Sequence, residues 1–389
     1  METNKIRFIF YLPNLKNYLD RVFMISELSK LVDSGILVTS KIDIDLKQYS
    51  FAPLKIITFP PGVKFFGATM FRASKLVASL IRKEKINIVH DTFGHLLPLF
   101  VVKFWFKECK FITSLYNIAL WDLRNIILPR YGWLTICSNK DLVYYLHRVL
   151  TQAITCYLAD HVVVQAPKLI ERLLQYHKLQ TTKISYIPNH IESTLYLEVG
   201  VKESDTHDAS IRLLFAGGLT VGKGGDFICK LLRRANELEI DLKVKIIGKI
   251  SSFDKKYFFH TQKIRDFGTQ LEIIPYMDKD KLIKSYSQFD WLIHYTSLDG
   301  SPRVILEALI SGLPVIASTH PGITVLDPDK DFILFRENED IDELLNILQQ
   351  EKNDSKQHKK RSMTGKEYVQ THFNSKISAE KHVLLYSKV

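Results

Sequence analysis

Residues 290–318 read DWLIHYTSLDGSPRVILEALISGLPVIAS. The apolar run 290–294 predicts a strand, and Thr296–Pro302 predicts a loop. Ser301 suits an N-cap and Pro302 the first helical position. A helix is therefore expected from Pro302 to Ile310, ended by Gly312, and Pro314 opens a second strand over 314–317. Strand, loop, helix and strand in that order form the repeating unit of a parallel sheet. Two carboxylates, Asp299 and Glu307, stand eight positions apart across the helix start. Glu307 is surrounded by Val304, Ile305, Leu306, Ala308 and Leu309, and a carboxylate on so apolar a helix needs a partner. The helix start offers backbone amides and the Arg303 guanidinium to a diphosphate, with a carboxylate on either side for hydroxyl groups.

Toward the N-terminus, a strand expected at 211–216 runs into Phe215–Asp226, FAGGLTVGKGGD, with a helix from about Gly225. Glycines such as Gly217 and Gly218 let backbone amides approach a phosphate, and Lys223 adds a point charge. Neither G-x-x-x-x-G-K-[ST] nor G-x-G-x-x-G is present. Further strands are expected at 243–247, 271–274 and 332–335. The polar segment 192–210 separates these from an earlier series at 6–11, 55–58, 86–90, 110–114, 161–165 and 184–187, with a helix over Phe71–Glu84.

Near-continuous apolar strands alternating with helices imply parallel sheets covered on both faces. The fold class is α/β, with an N-terminal doubly wound domain over 1–191, a linker over 192–210, a C-terminal one over 211–364, and a charged helical tail, 365–389, expected to pack back on the first domain. Two such domains would present their strand carboxyl ends to a central cleft.

Of the 389 residues, 46% are hydrophobic and 24% charged, which excludes wholesale disorder. No run of 18 apolar residues occurs, and the N-terminus has too short an apolar core for a secretory signal. Cysteines at 109, 137, 156 and 229 form no C-x-x-C pair and no zinc-ligand spacing, so free thiols in a reducing cytoplasm are expected. Asp43-Ile44-Asp45 reads as a solvated turn rather than a metal-binding D-x-D.

The net charge of +11 is uneven: residues 51–150 hold fourteen Lys/Arg against five Asp/Glu, and 206–389 hold 27 against 25. The basic stretch also carries Phe65, Phe66, Phe71, Phe104, Trp105, Phe106, Trp121 and Trp133. Cations with interfacial aromatics suit an anionic membrane surface. Single-stranded nucleic acid uses the same residue types, but no nucleic-acid-binding motif accompanies them, and no nucleic-acid partner is expected.

The D-x7-E spacing followed by ALISGLPVIAS (308–318) resembles the E-x7-E signature of retaining GT-B glycosyltransferases, family 4-like (glycosyl transferases group 1). Other segments resemble that family in order and spacing. Residues 159–190, ADHVVVQAPKLIERLLQYHKLQTTKISYIPNH, resemble the block ending its N-terminal domain in "IPNG". Leu214–Gly224 resembles its phosphate loop, Asn87–His90 (NIVH) its "DVVH" strand, and Leu271–Asp290 the stretch before its donor strand.

The resemblance implies a GT-B architecture of two Rossmann-like domains. It implies a retaining hexosyl transfer from a UDP-, GDP- or ADP-sugar to a glycan or lipid-linked acceptor, in envelope polysaccharide or glycolipid assembly. The nucleotide sugar is a cosubstrate; no cofactor and no metal are implied, and the location is cytoplasmic, with peripheral membrane contact through residues 51–150. Residue by residue, Glu307 would meet the nucleotide ribose, Asp299 the donor sugar and Lys223 the diphosphate. Gly217, Gly218, Gly248, Gly300, Ser301 and Pro302 would form the backbone of the donor site. His90, His95, Tyr116 and Asn14 would lie on the acceptor or sugar side.

The departures are specific. Gly218 stands where the family has a phosphate-binding Arg, and Arg303 is the expected substitute. Asp299 replaces a Glu. Gly248-Lys249-Ile250 stands for a GxG, His190 for the IPNG glycine, PNLKNY (13–18) for a Gly-rich acceptor loop, and Tyr116 for a histidine. These losses keep two rivals open: a noncatalytic GT-B partner subunit, and a nucleotide-sugar epimerase on the same fold.

Overall fold

β1 (Arg7–Leu12), RFIFYL, is buried from Phe8 onward because it lies in mid-sheet, with β2 (Ser34–Thr39) on one side and β4 (Ile88–Asp91) on the other. This is seen in a computed structural model, which describes residues 5–12, 14–59, 68–92, 96–124, 140–196, 210–250, 254–296, 300–336 and 340–389. The chain divides into two units, Met1–Glu192 with Ser375–Val389, and Ser193–Asn374. The second unit thus begins inside the segment read as a linker, and only the last helix of the charged tail belongs to the first.

In the first unit β3 (Lys55–Thr58), β5 (Lys110–Leu115), β6 (His161–Val164) and β7 (Ile184–Tyr186) complete a seven-stranded parallel sheet, ordered β3-β2-β1-β4-β5-β6-β7. Alternation decides the faces. Ile9 and Tyr11 share a core with Val77, Leu80, Ile81, Leu99 and Val102 from the helices Ala68–Glu84 and Leu96–Trp105. Phe8 and Phe10 meet Tyr386 and His382 of the C-terminal helix Ser375–Tyr386 instead, with ring centroids 5.9 and 6.3 Å apart. That helix packs along Leu19–Lys30. β2 was not anticipated, because its apolar run is short and follows a turn-like Asp-Ser-Gly. Gly35 is required there: a Cβ would lie 2.7 Å from the Phe8 ring.

In the second unit β8 (Ile211–Ala216), β9 (Leu242–Ile247), β10 (Leu271–Ile274), β11 (Trp291–His294), β12 (Val315–Ser318) and β13 (Ile333–Arg336) form a parallel sheet ordered β10-β9-β8-β11-β12-β13. Strand order reverses between β8 and β11, and the crevice outside the carboxyl ends at such a reversal is where open α/β sheets hold ligands. The helix Arg303–Ile310 joins β11 to β12. It ends as expected: Gly312 takes φ +75°, Gly312 N–H bonds Leu309 O at 2.9 Å and Leu313 N–H bonds Ala308 O at 2.9 Å.

Candidate active site

Two loops meet at the β8–β11 reversal. After β8 the chain runs through Gly217–Gly224 into the helix Gly225–Glu237. Gly224 has φ +82°, and a Cβ there would lie 2.0 Å from Tyr295 O. Gly248 is equally constrained, since its Cβ would lie 1.9 Å from Gly217 O. Thr296 Oγ1 donates to Gly222 O at 3.3 Å, and the Phe227 and Tyr295 rings stack at 4.0 Å. The glycines thus serve close backbone approach. Several of the loop's amides are taken up within the fold. Lys223 N–H bonds Thr220 Oγ1 and O, Gly225 N–H bonds Thr220 O, Gly224 N–H bonds Val221 O, and Gly217 N–H bonds Ile247 O. What the loop presents is the Lys223 side chain, whose Nζ lies 4.0 Å from where a Gly217 Cβ would stand.

The second loop leads into the helix Arg303–Ile310. Pro302, not Ser301, holds the N-cap position, and it makes no side-chain cap. The backbone dipole of a helix start favours an anion. Gly300 and Pro302 are buried and Ser301 half-buried. Asp299 lies outside the described residues.

Glu307 has the partners its surroundings demand. Its Oε1 lies 3.8 Å from Arg303 Nη2 and 3.9 Å from Lys279 Nζ, and its Oε2 accepts a hydrogen bond from the Tyr286 hydroxyl at 3.2 Å. The carboxylate side chain is 13% exposed, Arg303 21% and Lys279 18%. Tyr286 is fully buried, and burial with the adjacent Glu307 charge pushes its phenol well above the usual tyrosine range. Lys279 opens the helix Lys279–Ser285, just past the carboxyl end of β10, and its ammonium sits 5.9 Å from the Tyr196 ring centroid. Sequence reasoning missed both Lys279 and Tyr286. The available signal was a cation and a tyrosine on the element preceding β11. Arg303, expected on a diphosphate, here rests on Glu307 one turn along its own helix.

The residues assigned to the acceptor side lie in the first unit. His90 is 0% exposed, and both ring nitrogens are engaged, Nδ1 with Tyr386 Oη at 2.7 Å and Nε2 with Ser114 Oγ at 2.8 Å. The ring is closed to a ligand, which corrects its expected place on the acceptor or sugar side. His95 lies outside the described residues. Tyr116 follows β5, half-buried, with the Arg21 guanidinium 4.3 Å from its ring centroid. Asn14 Oδ1 accepts from Asn17 N–H at 3.0 Å, holding a local turn. Asp43 Oδ1 accepts from Leu15 N–H and Lys16 N–H, so it organises the chain after β1.

Among the described residues no group of three or more His, Cys, Asp or Glu is placed to hold a metal ion, and no helix is long and apolar enough to cross a membrane. Cys109, Cys156 and Cys229 are buried free thiols, pushed up by burial to about 12, 12 and 11; Cys137 lies outside the described residues. Phe104 and Trp105 are 68% and 67% exposed, whereas Phe106 is half-buried beneath Arg82. Phe65, Phe66 and Trp133, and the side chains of Phe71 and Trp121, lie outside the description.

Residues 201–368 match the family model for glycosyl transferases group 1. No curated protein sequence matches the chain. Among solved structures it is similar to sucrose-phosphate synthase from Thermosynechococcus elongatus, at TM-score 0.71 and 16% identity over 99% of each chain. A glycosyltransferase from Rickettsia africae gives TM-score 0.64 and 17% identity over 99% of this chain and 98% of that one. HepE of Anabaena, solved in complex with UDP-glucose, gives 0.67 and 13% over 99% and 100%. These likenesses show the GT-B fold.

Proposed function

We propose that this chain, a GT-B protein whose residues 201–368 match the family model for glycosyl transferases group 1, transfers a sugar from a nucleotide-sugar donor to an acceptor hydroxyl. The observation that carries the reading is the Glu307 cluster at the helix Arg303–Ile310, beside the Lys223 loop at the strand-order reversal of the second unit. Breaking a sugar–phosphate bond gathers negative charge on the leaving diphosphate. Fixed cations and helix-start amides stabilise such charge without reorganising during the reaction. Lys223, Arg303 and the amides after Pro302 supply both, and can meet that charge without a metal ion. The D-x7-E resemblance assigns Glu307 to the ribose hydroxyls and Asp299 to the donor sugar. That resemblance also supports retention, with the leaving phosphate taking the acceptor proton.

A glycan or lipid-linked acceptor of envelope or glycolipid assembly is the proposed substrate class. Phe104 and Trp105 support a peripheral contact with an anionic inner membrane face. They end the helix Leu96–Trp105 amid the exposed Arg82, Lys83, Lys85 and Lys107, at the amino edge of the first unit's sheet. Incubation with UDP-, GDP-, ADP- and TDP-sugars, with and without glycan and lipid-diphosphate acceptors, tests the reading through release of the nucleoside diphosphate. Release with one donor, lost in Lys223→Ala, supports it. Binding without release supports the noncatalytic partner, and an altered sugar without transfer supports the epimerase.

A further inference from the structure

The parallel pairing of β11 with β12 ends at His294 and Ala317. One residue further along β12, the Ser318 hydroxyl takes over from the ladder. It accepts from the Thr296 N–H at 3.1 Å and donates to the Thr296 carbonyl at 2.9 Å. One side chain thus serves both backbone groups of Thr296, as a neighbouring strand would, and a hydroxyl has the donor and acceptor capacity to do so. The backbone of Ser318 is itself held in the sheet, opposite Arg336 of β13. Thr296 is buried, at 4% exposure, and the chain beyond it leads to the helix Arg303–Ile310. The Thr296 hydroxyl continues the series of bonds, donating to Gly222 O at 3.3 Å, next to Lys223. Tyr295 belongs to the same junction, because its carbonyl oxygen is what would lie 2.0 Å from a Cβ at Gly224. A hydroxyl on β12 therefore ties the chain leaving β11 to the turn that carries Lys223.

We propose that Ser318 is a positioning residue of the donor site, which acts through Thr296 to hold the Lys223 turn in register with the helix Arg303–Ile310. The proposal rests on the donor-site reading above and deepens it. Groups that share one diphosphate stabilise it only while their spacing is kept, and a group on a strand keeps a spacing better than one on a loop. Lys223 stands on a turn and Arg303 follows a loop, whereas Ser318 stands on a strand paired on both sides. Its hydroxyl is turned to Thr296 rather than to a ligand, so its effect on the donor is indirect. Removing that hydroxyl takes a partner from both backbone groups of Thr296 at once, and with them the anchor of the bond to Gly222. The turn then shifts, and the Lys223 ammonium shifts with it.

Coupling between variants separates positioning from a general contribution to stability. The full chain is titrated with UDP, GDP, ADP and TDP in wild type, Ser318→Ala, Ser318→Thr, Lys223→Ala and the Ser318→Ala/Lys223→Ala double variant, with a melting curve for each. Ser318→Ala should weaken the preferred nucleoside diphosphate about three- to tenfold, the loss expected when one charge-assisted contact is displaced, and Ser318→Thr, which keeps the hydroxyl, should restore most of it. In the Lys223→Ala background Ser318→Ala should cost less than about twofold in affinity, because the cation that it positions is gone. Any fall in melting temperature should be the same in both backgrounds. Thr296→Val, which removes the bond to Gly222, reads the same coupling if Ser318→Ala does not fold: a loss of affinity confined to the background that has Lys223 supports the proposal. Equal affinity in wild type and Ser318→Ala, with Lys223→Ala impaired, would overturn the role of Ser318 and leave the donor site standing. An equal loss in both backgrounds would do the same, since it marks an effect independent of Lys223. No nucleotide binding by folded wild type would overturn both readings.

Discussion

The hydroxyl of Tyr286 donates to Glu307 Oε2 across 3.2 Å, joining the element before β11 to the helix after it. Tyr286 is wholly enclosed, so its hydroxyl has no water to turn to, and the bond fixes which carboxylate oxygen is left for other partners. Tyr286→Phe removes the bond and keeps the ring. We expect a folded protein whose nucleoside-diphosphate affinity falls about three- to tenfold as the carboxylate loses its orientation. Calorimetric titration beside a melting curve separates that loss from unfolding.

Acid should loosen the first unit. His382 is pushed down to about 4 and His90 well below the usual histidine range, chiefly by burial. For His90 the neighbouring His382, Arg21 and His161 charges act in the same direction; for His382 the hydrogen bond its ring donates to Ser378 O opposes the shift and Arg21 supports it. Both rings are neutral when folded and charged when unfolded in acid, so the unfolded chain binds more protons. Stability is complete above the ordinary histidine pKa of about 6.5 and declines as pH falls toward 4. The check is a melting temperature that drops across that window, with a shallower slope in His382→Leu. An identical slope in that variant would refute the assignment.

Gly224→Ala should damage the Lys223 loop. The left-handed backbone costs a residue with a Cβ about 1–2 kcal/mol. The clash with Tyr295 O, 2.0 Å from the added carbon, forces the two loops apart at a further cost of about 1–3 kcal/mol. A lowered denaturation midpoint is expected, together with a nucleotide affinity that falls as Lys223 is displaced.

Phe104→Ser with Trp105→Ser should leave the melting temperature nearly unchanged, since both side chains are exposed. Flotation with vesicles containing anionic phospholipid should fall, and neutral vesicles should bind neither protein. Wild type that ignores anionic vesicles would remove the membrane contact from the proposal.

Much of the fold was legible in the sequence because buried parallel strands carry their own signature. The runs at 55–58, 211–216 and 271–274 coincide with β3, β8 and β10 residue for residue. β2 escaped because its Gly35 makes room for the Phe8 ring, a contact that exists only once the chain has folded. Glu307 could be singled out as a carboxylate among apolar neighbours, but its partners could not. Lys279 and Tyr286 lie 28 and 21 residues upstream in a charged stretch that reads as ordinary surface. In the Gly-rich loop the sequence does not tell which amides fold back on the chain: those of Gly224 and Gly225 bond Val221 O and Thr220 O. The partner of His90 could not be read from the sequence because the C-terminal helix that encloses it is nearly 300 residues away, at Tyr386.

The central claim is that the second unit holds the diphosphate of a nucleotide sugar through Lys223 and the nucleoside through Glu307. Titrating folded wild type, Lys223→Ala and Glu307→Ala with UDP, GDP, ADP and TDP tests it most directly. The account predicts that one base binds wild type and that both variants lose at least about tenfold in affinity for it. A folded wild type that binds none of the four, or variants that bind as wild type does, would contradict it.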